Sequence, residues 1–380
     1  MSFVGGTNKM KSNCKNKKIE LFINSLQSGG AEHQISILAN FLSEKGYDVT
    51  LTTINKANDH YDLSSSVRRV RVCGKSGLRF LKALKVFVHF QITRCDCLIV
   101  FCQRNIYYAL RSLSWRMKRP KIICSERNYL SFPGKYEDVI YNKYYPKLVD
   151  HIVSNSYSQT KYLTCCLPSL TDKLSTIINY TDLNLFCPQY RIPGKILKIL
   201  VLARVQKQKN CLRFIQALSL LCSKTSRDFV VDWYGAQQFS NEASNEYVKK
   251  VYDLIRVNNL CGVINLHGPT NNICNLINSY DVVCLPSLFE GFSNSIAEGI
   301  CCGKPMIVSD VSDNRIMVHD NENGFLFDPT DNNSIVDAFI RFFSLNIEEM
   351  ILMGQRSREI AEALFDKESF INSYINLIEE

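Results

Sequence analysis

Residues 18–54 read KIELFINSL, QSGG, AEHQISILANFLSEKG, YDVTLTTI, and this succession restricts the fold more than any other feature of the chain. An apolar run is broken by a pair of glycines. Ala31, Ile35, Leu38 and Leu42 then fall on one helical face, Gly46 supplies a stop, and a second apolar run follows. Two strand-like runs joined through one helix form a βαβ unit, which makes the strands parallel and the sheet helix-covered.

The alternation continues. CDCLIVFC, KIICSE and HIVSNS read as strands, and NIYYALRSLSWRMK as a helix. The turn-rich stretch NYTDLNLFCPQYRIPGK breaks the pattern, which places a domain boundary near residue 190. A second alternation begins there, with KILVLARV, DFVVDWYG, VINLHG, DVVCLPS and KPMIVSD as strands. NGFLFDP reads as a short strand or hairpin arm, and the tail from Ser334 as two or three helices. The expectation is an α/β protein of two Rossmann-like, doubly wound αβα domains, 1–190 and 191–364. Such tandem domains place a ligand cleft at the carboxyl ends of their strands.

Two domains suit 380 residues, and 46% hydrophobic with 21% charged residues excludes a disordered chain. The 16 cysteines are scattered and none forms a Cys-x-x-Cys pair, so they read as free thiols in a reducing cytosol. The basic leader MSFVGGTNKMKSNCKNKK lacks the apolar core of a signal peptide, and no run reaches the roughly 18 apolar residues of a membrane span. A cytoplasmic chain, soluble or lying on a membrane, is expected. Residues 1–190 hold 27 Lys+Arg against 13 Asp+Glu, a balance of +14, and the remaining 18 against 23 leave −5. A basic half of this size suits an anionic partner.

Three stretches can carry chemistry. PSLFEGFSNSIAEGI follows the strand DVVCLPS, and a helix starts near Ser293. Its first-turn N–H groups, Ser293 to Ile296, make an anion site, with Glu290 just before it and Glu298 within it. A carboxylate there accepts hydrogen bonds from sugar hydroxyls. Alone, the stretch reads equally as a plain helix start. LVLARVQKQKN puts Arg204, Lys207 and Lys209 after another strand, suited to a diphosphate, although alone it would be a solvated basic loop. In SLQSGGAE, Gly29 and Gly30 let backbone approach a ligand closely, and His33 follows as a polar helix residue. Neither a dinucleotide fingerprint nor a Walker A sequence occurs.

In this order and spacing, GGAE, LARVQKQKN and EGFSNSIAEG resemble the family-4 retaining glycosyltransferases of the GT-B fold, from about residue 19 to the end. CSERN and NGFLFDPTD are similar to stretches of bacterial surface-polysaccharide members, of the O-antigen and capsule type. The resemblance implies transfer of a hexose or N-acetylhexosamine from a nucleotide sugar, most simply UDP-linked, to a growing glycan on a polyprenyl diphosphate. Arg204 and Lys209 would bind the donor diphosphate and stabilise the leaving group. Glu290 would contact the donor sugar, with Gly291, Phe292, Ser293, Asn294 and Ser295 beside it. Glu298 would hold the ribose, His267 and Gly268 would lie near the base, and Gly29 and Gly30 would approach the diphosphate. Retention of configuration and independence from metals or other cofactors are implied; the chain has no Asp-x-Asp. Where many members carry a histidine, Arg127 stands here beside Glu126, which reads equally as a catalytic pair and as a structural ion pair. A C-terminal helix, 365–380, is expected to return to the first domain.

Residues 77–94, GLRFLKALKVFVHFQITR, read as a basic amphipathic helix or helix pair. By itself this is a core helix with one wet basic face; with the charge asymmetry it suggests a membrane surface as partner, the inner face of the cell membrane. Two rival readings remain. A UDP-sugar 2-epimerase of the same architecture would need an acid/base pair facing C2, which is not evident. A nucleic-acid-binding module would need basic–aromatic interleaving, which is absent, and the acidic second half argues against it.

Overall fold

The computed structural model describes residues 17–27, 29–56, 59–74, 79–127, 136–239 and 241–380. The chain divides into two compact units, Met1–Asn179 with Glu368–Glu380, and Tyr180–Lys367. Among the described residues no helix is long and apolar enough to cross a membrane.

The first unit holds a seven-stranded parallel sheet: β1 (Lys18–Ile23), β2 (Asp48–Thr53), β3 (Arg68–Arg71), β4 (Cys97–Phe101), β5 (Lys121–Glu126), β6 (His151–Ser154) and β7 (Leu174–Thr176). Their order is β3-β2-β1-β4-β5-β6-β7, so chain direction across the sheet reverses between β1 and β4. The central strand β4, CLIVF, is buried along its whole length, as expected of a strand covered on both faces. The helix Gly30–Glu44 packs Ile35, Leu38 and Leu42 inward at no exposure, and each such side chain contributes about 1.5–3 kcal/mol. Gly46 ends it at φ +93°, where its lack of a Cβ is needed. β3 and β7 are not expected from the sequence: RRVR is too charged and LST too short to read as strands.

The second unit holds six parallel strands: β8 (Leu197–Leu202), β9 (Phe229–Tyr234), β10 (Ile264–His267), β11 (Val282–Leu285), β12 (Met306–Ser309) and β13 (Gly324–Phe327). Their order is β10-β9-β8-β11-β12-β13. β13 is a parallel edge strand on β12 and not a hairpin arm. Asn323–Gly324 makes no hairpin turn: Asn323 is buried with its amide on the Met317 carbonyl (2.9 Å), and a Cβ on Gly324 would meet the Met306 carbonyl oxygen at 2.2 Å.

The division between units falls at Asn179–Tyr180, ahead of residue 190. Residues 180–196 form neither helix nor strand, yet the second unit holds them. Arg358 Nη1 donates to the carbonyls of Leu183 (3.2 Å) and Phe186 (2.9 Å), and Asn278 Nδ2 to that of Cys187 (2.9 Å). The stretch is irregular because of its turn residues, but it is packed. At the other end, the helix Lys367–Glu379 lies on the first sheet's unit. Lys45 pairs with Glu368 (2.6 Å), and Tyr47 donates its hydroxyl to Glu379 (2.9 Å).

Residues 77 and 78 of the expected amphipathic segment lie outside the described residues; a helix spans Arg79–Ile92. It buries Val86 and Phe90, but its outward face is apolar and not the basic face expected.

Candidate active site

In the second sheet the switch point lies between β8 and β11. Loops leaving two such strands diverge and open a crevice at their carboxyl ends. The loop after β8 carries Arg204 and Lys209. The loop after β11 carries Glu290 and Gly291 and leads into the helix Asn294–Cys301. Three hydrogen bonds tie these segments: Leu288 N–H to the Gln208 carbonyl (2.8 Å), Gln208 Nε2 to the Phe289 carbonyl (2.9 Å), and Ser295 Oγ to the Leu202 carbonyl (2.7 Å).

Between the loops Lys209 donates from Nζ to Glu290 Oε1, with side chains only 13% and 10% exposed. The sequence reading sends Lys209 to a phosphate and Glu290 to a sugar; the structure couples them. A pair this poorly hydrated keeps its place only while both charges are matched, so an arriving phosphate competes with Glu290 for Lys209. Asn210 follows in the left-handed region at φ 59° and anchors the turn, its amide donating to the Pro329 carbonyl (2.7 Å). Arg204 is different: it is exposed and has no hydrogen-bond or ion-pair partner among the described residues. Gly235, after β9, permits the close approach that shapes this loop, since a Cβ there would stand 2.0 Å from the Ala203 carbonyl oxygen.

The helix Asn294–Cys301 is capped by Ser293, whose side chain makes no capping bond. Its first helical bond runs from Ala297 N–H to the Ser293 carbonyl (3.1 Å), which leaves the preceding N–H groups without an acceptor inside the helix. Phe292 is a core residue, edge-on to Phe365 at 6.1 Å, so its backbone alone can face a ligand. Glu298 retains some surface, yet its carboxyl has no hydrogen-bond or ion-pair partner among the described residues. Burial pushes its pKa up to about 8. A carboxylate in such surroundings is stabilised by hydroxyl donors brought by a ligand.

His267 ends β10, two strands from β8, roughly 9–10 Å across the sheet. Its ring stacks on Tyr234 (4.3 Å, 16°) and its Nε2 lies 2.7 Å from Asp232 Oδ1. Burial raises the Asp232 pKa, but hydrogen bonds from His267, Asn265 and Tyr280 outweigh it and hold the carboxyl below its usual range. Gly268 is exposed with open space about its Cα. Asp232 and Tyr234 are missed by the sequence reading, although a carboxylate inside the apolar run DFVVDWYG was a usable signal. Ser312 is missed with no such signal: it sits at φ 50° after β12 and accepts from Glu290 N–H (3.2 Å).

In the first unit, Gly29 precedes the helix that Gly30 opens. Gly29 and Tyr61 exchange hydrogen bonds, N–H to hydroxyl (3.1 Å) and hydroxyl to carbonyl (3.0 Å). Gly29 is extended, so its backbone conformation does not demand glycine; a Cβ would instead stand 2.2 Å from the mobile end of Glu32. His33 stacks on Tyr61 (4.7 Å), and burial, with His60, lowers its pKa.

Glu126 and Arg127 form no ion pair. Adjacent residues at a strand's end point to opposite faces. Glu126 is fully buried and accepts from the Tyr145 hydroxyl; burial raises its pKa to about 7, the Tyr145 bond lowers it and Glu137 raises it. Arg127 donates to Ser125 Oγ (2.8 Å), Asn179 Oδ1 (2.7 Å) and the Tyr374 hydroxyl (2.8 Å), and lies 4.1 Å over the Phe101 ring. It ties the C-terminal helix to β5. A cavity of about 220 Å³ opens at the ends of β1 and β2, lined by Asn24, Asn55, Lys82, Arg104 and Tyr108 among others.

Two parallel sheets of these orders, with a cationic loop and a helix N-terminus at the second switch point, define a GT-B protein. Solved structures agree on the fold. Sucrose-phosphate synthase from Thermosynechococcus elongatus superposes with a TM-score of 0.80 at 16% identity, covering 96% of this chain and 98% of that one. Anabaena HepE in complex with UDP-glucose gives 0.78 at 17%, over 96% and 99%. Residues 186–359 match the family model "Glycosyl transferases group 1", and the second unit is a domain of that family. A UDP-Gal:alpha-D-GlcNAc-diphosphoundecaprenol alpha-1,3-galactosyltransferase of Escherichia coli is 30% identical over 180 residues, 44% of this chain and 45% of that protein. An N-acetylgalactosamine-N,N'-diacetylbacillosaminyl-diphospho-undecaprenol 4-alpha-N-acetylgalactosaminyltransferase of Campylobacter jejuni is 28% identical over 338 residues, 84% and 88%.

Proposed function

We propose that this chain is a glycosyltransferase that moves a hexose or N-acetylhexosamine from a UDP-sugar to a glycan on a polyprenyl diphosphate, in surface polysaccharide synthesis. One observation carries the donor site: Arg204 and Glu298, each without a hydrogen-bond or ion-pair partner among the described residues, the Lys209–Glu290 pair and a helix N-terminus with no side-chain capping bond all sit at one switch point. The names of the undecaprenol-linked relatives support the acceptor class.

In this reading Arg204, the Ser293–Ile296 N–H groups and Lys209 receive the diphosphate. Lys209 then leaves Glu290, which turns to the sugar hydroxyls, while Glu298 accepts from the ribose. As the C1–oxygen bond to the β-phosphate breaks, these cations stabilise the charge on the departing UDP. The acceptor hydroxyl forms the new bond on the same face and yields its proton to the leaving phosphate, which retains configuration. The positive charge that a divalent cation would supply is then supplied by side chains, so neither metal nor cofactor is needed. Lys82 and Arg104, in the first unit's cavity, are suited to the acceptor's phosphates. The acceptor's lipid places the enzyme at a membrane surface, and no nucleic acid is a partner.

The test is transfer of labelled sugar from UDP-sugars to a synthetic polyprenyl-diphosphate glycan, with and without EDTA, and NMR of the product anomer. Transfer that survives EDTA with retained configuration is expected. UDP-sugar turnover without an acceptor would support the epimerase instead, and loss with EDTA would end the metal-free reading.

A further inference from the structure

A carboxylate stands inside the first sheet, in a strand that is otherwise apolar beyond its first residue. Glu20, in β1, is 1% exposed. Its Oε1 accepts from the Thr52 hydroxyl (2.7 Å), and His89 Nε2, from the helix Arg79–Ile92, lies 2.6 Å from the same oxygen. Its Oε2 has no hydrogen-bond partner among the described residues. Phe22, the next residue on that face of β1, packs edge-on against Phe90 at 4.9 Å, so Glu20 is the last polar group before the core. A buried carboxylate oxygen without a donor destabilises the fold, and a ligand that brings a donor removes that cost.

Glu20 lines a cavity of about 200 Å³ at the amino ends of β1 and β2. At about 30 Å³ apiece this is the space of about seven water molecules, or of one sugar ring. Arg204 and Glu290 of the donor site, and the cavity lined by Lys82 and Arg104, lie instead at carboxyl ends of strands. Thr50 and Thr93 also line the amino-end cavity, as do three exposed cations, Lys18, Arg68 and Arg94. Arg68 is paired only loosely, to Asp48 at 3.4 Å. The Lys18 and Arg94 side chains have no hydrogen-bond or ion-pair partner among the described residues.

We propose that this cavity binds a small polyol phosphate, such as a sugar monophosphate. The hydroxyl end enters: one hydroxyl donates to Glu20 Oε2, and others exchange bonds with Thr50 and Thr93. The phosphate stays at the rim with Lys18, Arg94 and Arg68. Charge selects this ligand. Glu20 repels a ligand that is anionic throughout, and the rim repels one that is cationic throughout. The occupant must therefore donate at one end and be anionic at the other. A phosphate monoester carries about two negative charges at pH 7, which match the two unpaired cations. The single carboxylate of an amino acid leaves one of them unmatched. The site is built from the first unit alone and does not rest on the transferase reading.

The full chain is titrated by calorimetry with glucose 6-phosphate and glycerol 3-phosphate, and with glucose, glycerol and inorganic phosphate as their separated halves. Saturable binding of at least one ester is expected, about tenfold or more tighter than either of its halves. Arg94→Ser, at the exposed rim, should weaken it about tenfold or more. Glu20→Gln should do the same, because the amide oxygen keeps the Thr52 bond and the amide N–H₂ then replaces an acceptor with a donor. Arg204→Gln and Lys82→Met should bind the ester as the wild type does. Circular dichroism checks that each variant is folded, and Arg94→Ser carries the test by itself where Glu20→Gln is not. Absence of binding by both esters, inorganic phosphate binding as tightly as the esters, or full affinity in folded Arg94→Ser would each overturn the proposal. Binding lost in Arg204→Gln or Lys82→Met but kept in Arg94→Ser would assign the ester to the donor site or to the carboxyl-end cavity, and overturn it as well. Binding is read without any transfer assay, so failure of this site and failure of the transferase reading are distinguishable.

Discussion

Glu298 makes nucleotide binding a titration. Its carboxyl has a pKa of about 8 against an ordinary 4.5 because it is largely desolvated and has no hydrogen-bond or ion-pair partner among the described residues. In the free protein about nine in ten copies are therefore protonated at pH 7, and about ninety-nine in a hundred at pH 6. If ribose hydroxyls donate to the carboxylate, the donor binds the ionised form, and binding must expel the proton. UDP-glucose suits the experiment because both its phosphates are esterified and neither titrates in this range. Its affinity should rise about fifty-fold between pH 6 and pH 8, about 2.3 kcal/mol, with about 0.9 proton released at pH 7. Calorimetry in buffers of differing ionisation enthalpy measures both quantities. Glu298→Gln, a mimic of the protonated state, should bind weakly and with a flat pH profile. The unfolded chain ionises this group above pH 4.5 while the folded chain holds the proton to about 8, so the folded state binds more protons across that window. Glu298 thus makes stability fall as pH rises from 4.5 to 8, and the glutamine variant should fall less steeply. A wild-type affinity that is flat from pH 6 to 8 with no proton release would refute the ribose assignment.

Lys209→Met leaves the nearly buried Glu290 unmatched and should cost about 2–4 kcal/mol, with much of it recovered in Lys209→Met/Glu290→Gln; thermal unfolding of the four-member cycle reads the coupling, while transfer stays lost in every variant. Arg204→Gln should leave stability within about 0.5 kcal/mol, because the side chain is exposed and has no partner among the described residues, yet weaken UDP-sugar binding about tenfold or more by calorimetry. Arg127→Ala removes the bonds to Asn179 and Tyr374 and the stack on Phe101; about 2–4 kcal/mol should be lost, with faster hydrogen exchange in the helix Lys367–Glu379. Unchanged exchange there would show that Arg127 does not secure that helix.

Particular residues show how far local pattern reaches. The run CDCLIVFC reads as a buried strand because an all-apolar stretch of that length has few other uses, and β4 is that strand. RRVR escapes because its place at the sheet edge, paired to β2, overrides its composition. The helix after Ser293 is legible from its cap residue. The outward face of Arg79–Ile92 is not: a period of 3.6 says which residues share a face, but not which face meets the core.

The order of strand, glycine loop and helix is local chemistry, so the sequence by itself determined two parallel, helix-covered sheets and put Arg204, Lys209 and Glu290 just beyond strand ends and Glu298 in the helix that follows. Tertiary structure decided what those groups are. Lys209 and Glu290 are 81 residues apart, and only the adjacency of β8 and β11 makes them a pair. Glu126 and Arg127 are neighbours in sequence that the pleat of β5 sends to opposite sides, one into the core and one to the C-terminal helix. Ionisation and pairing depend on burial and on distances between remote segments. Those are properties of the packed chain, and no local pattern encodes them.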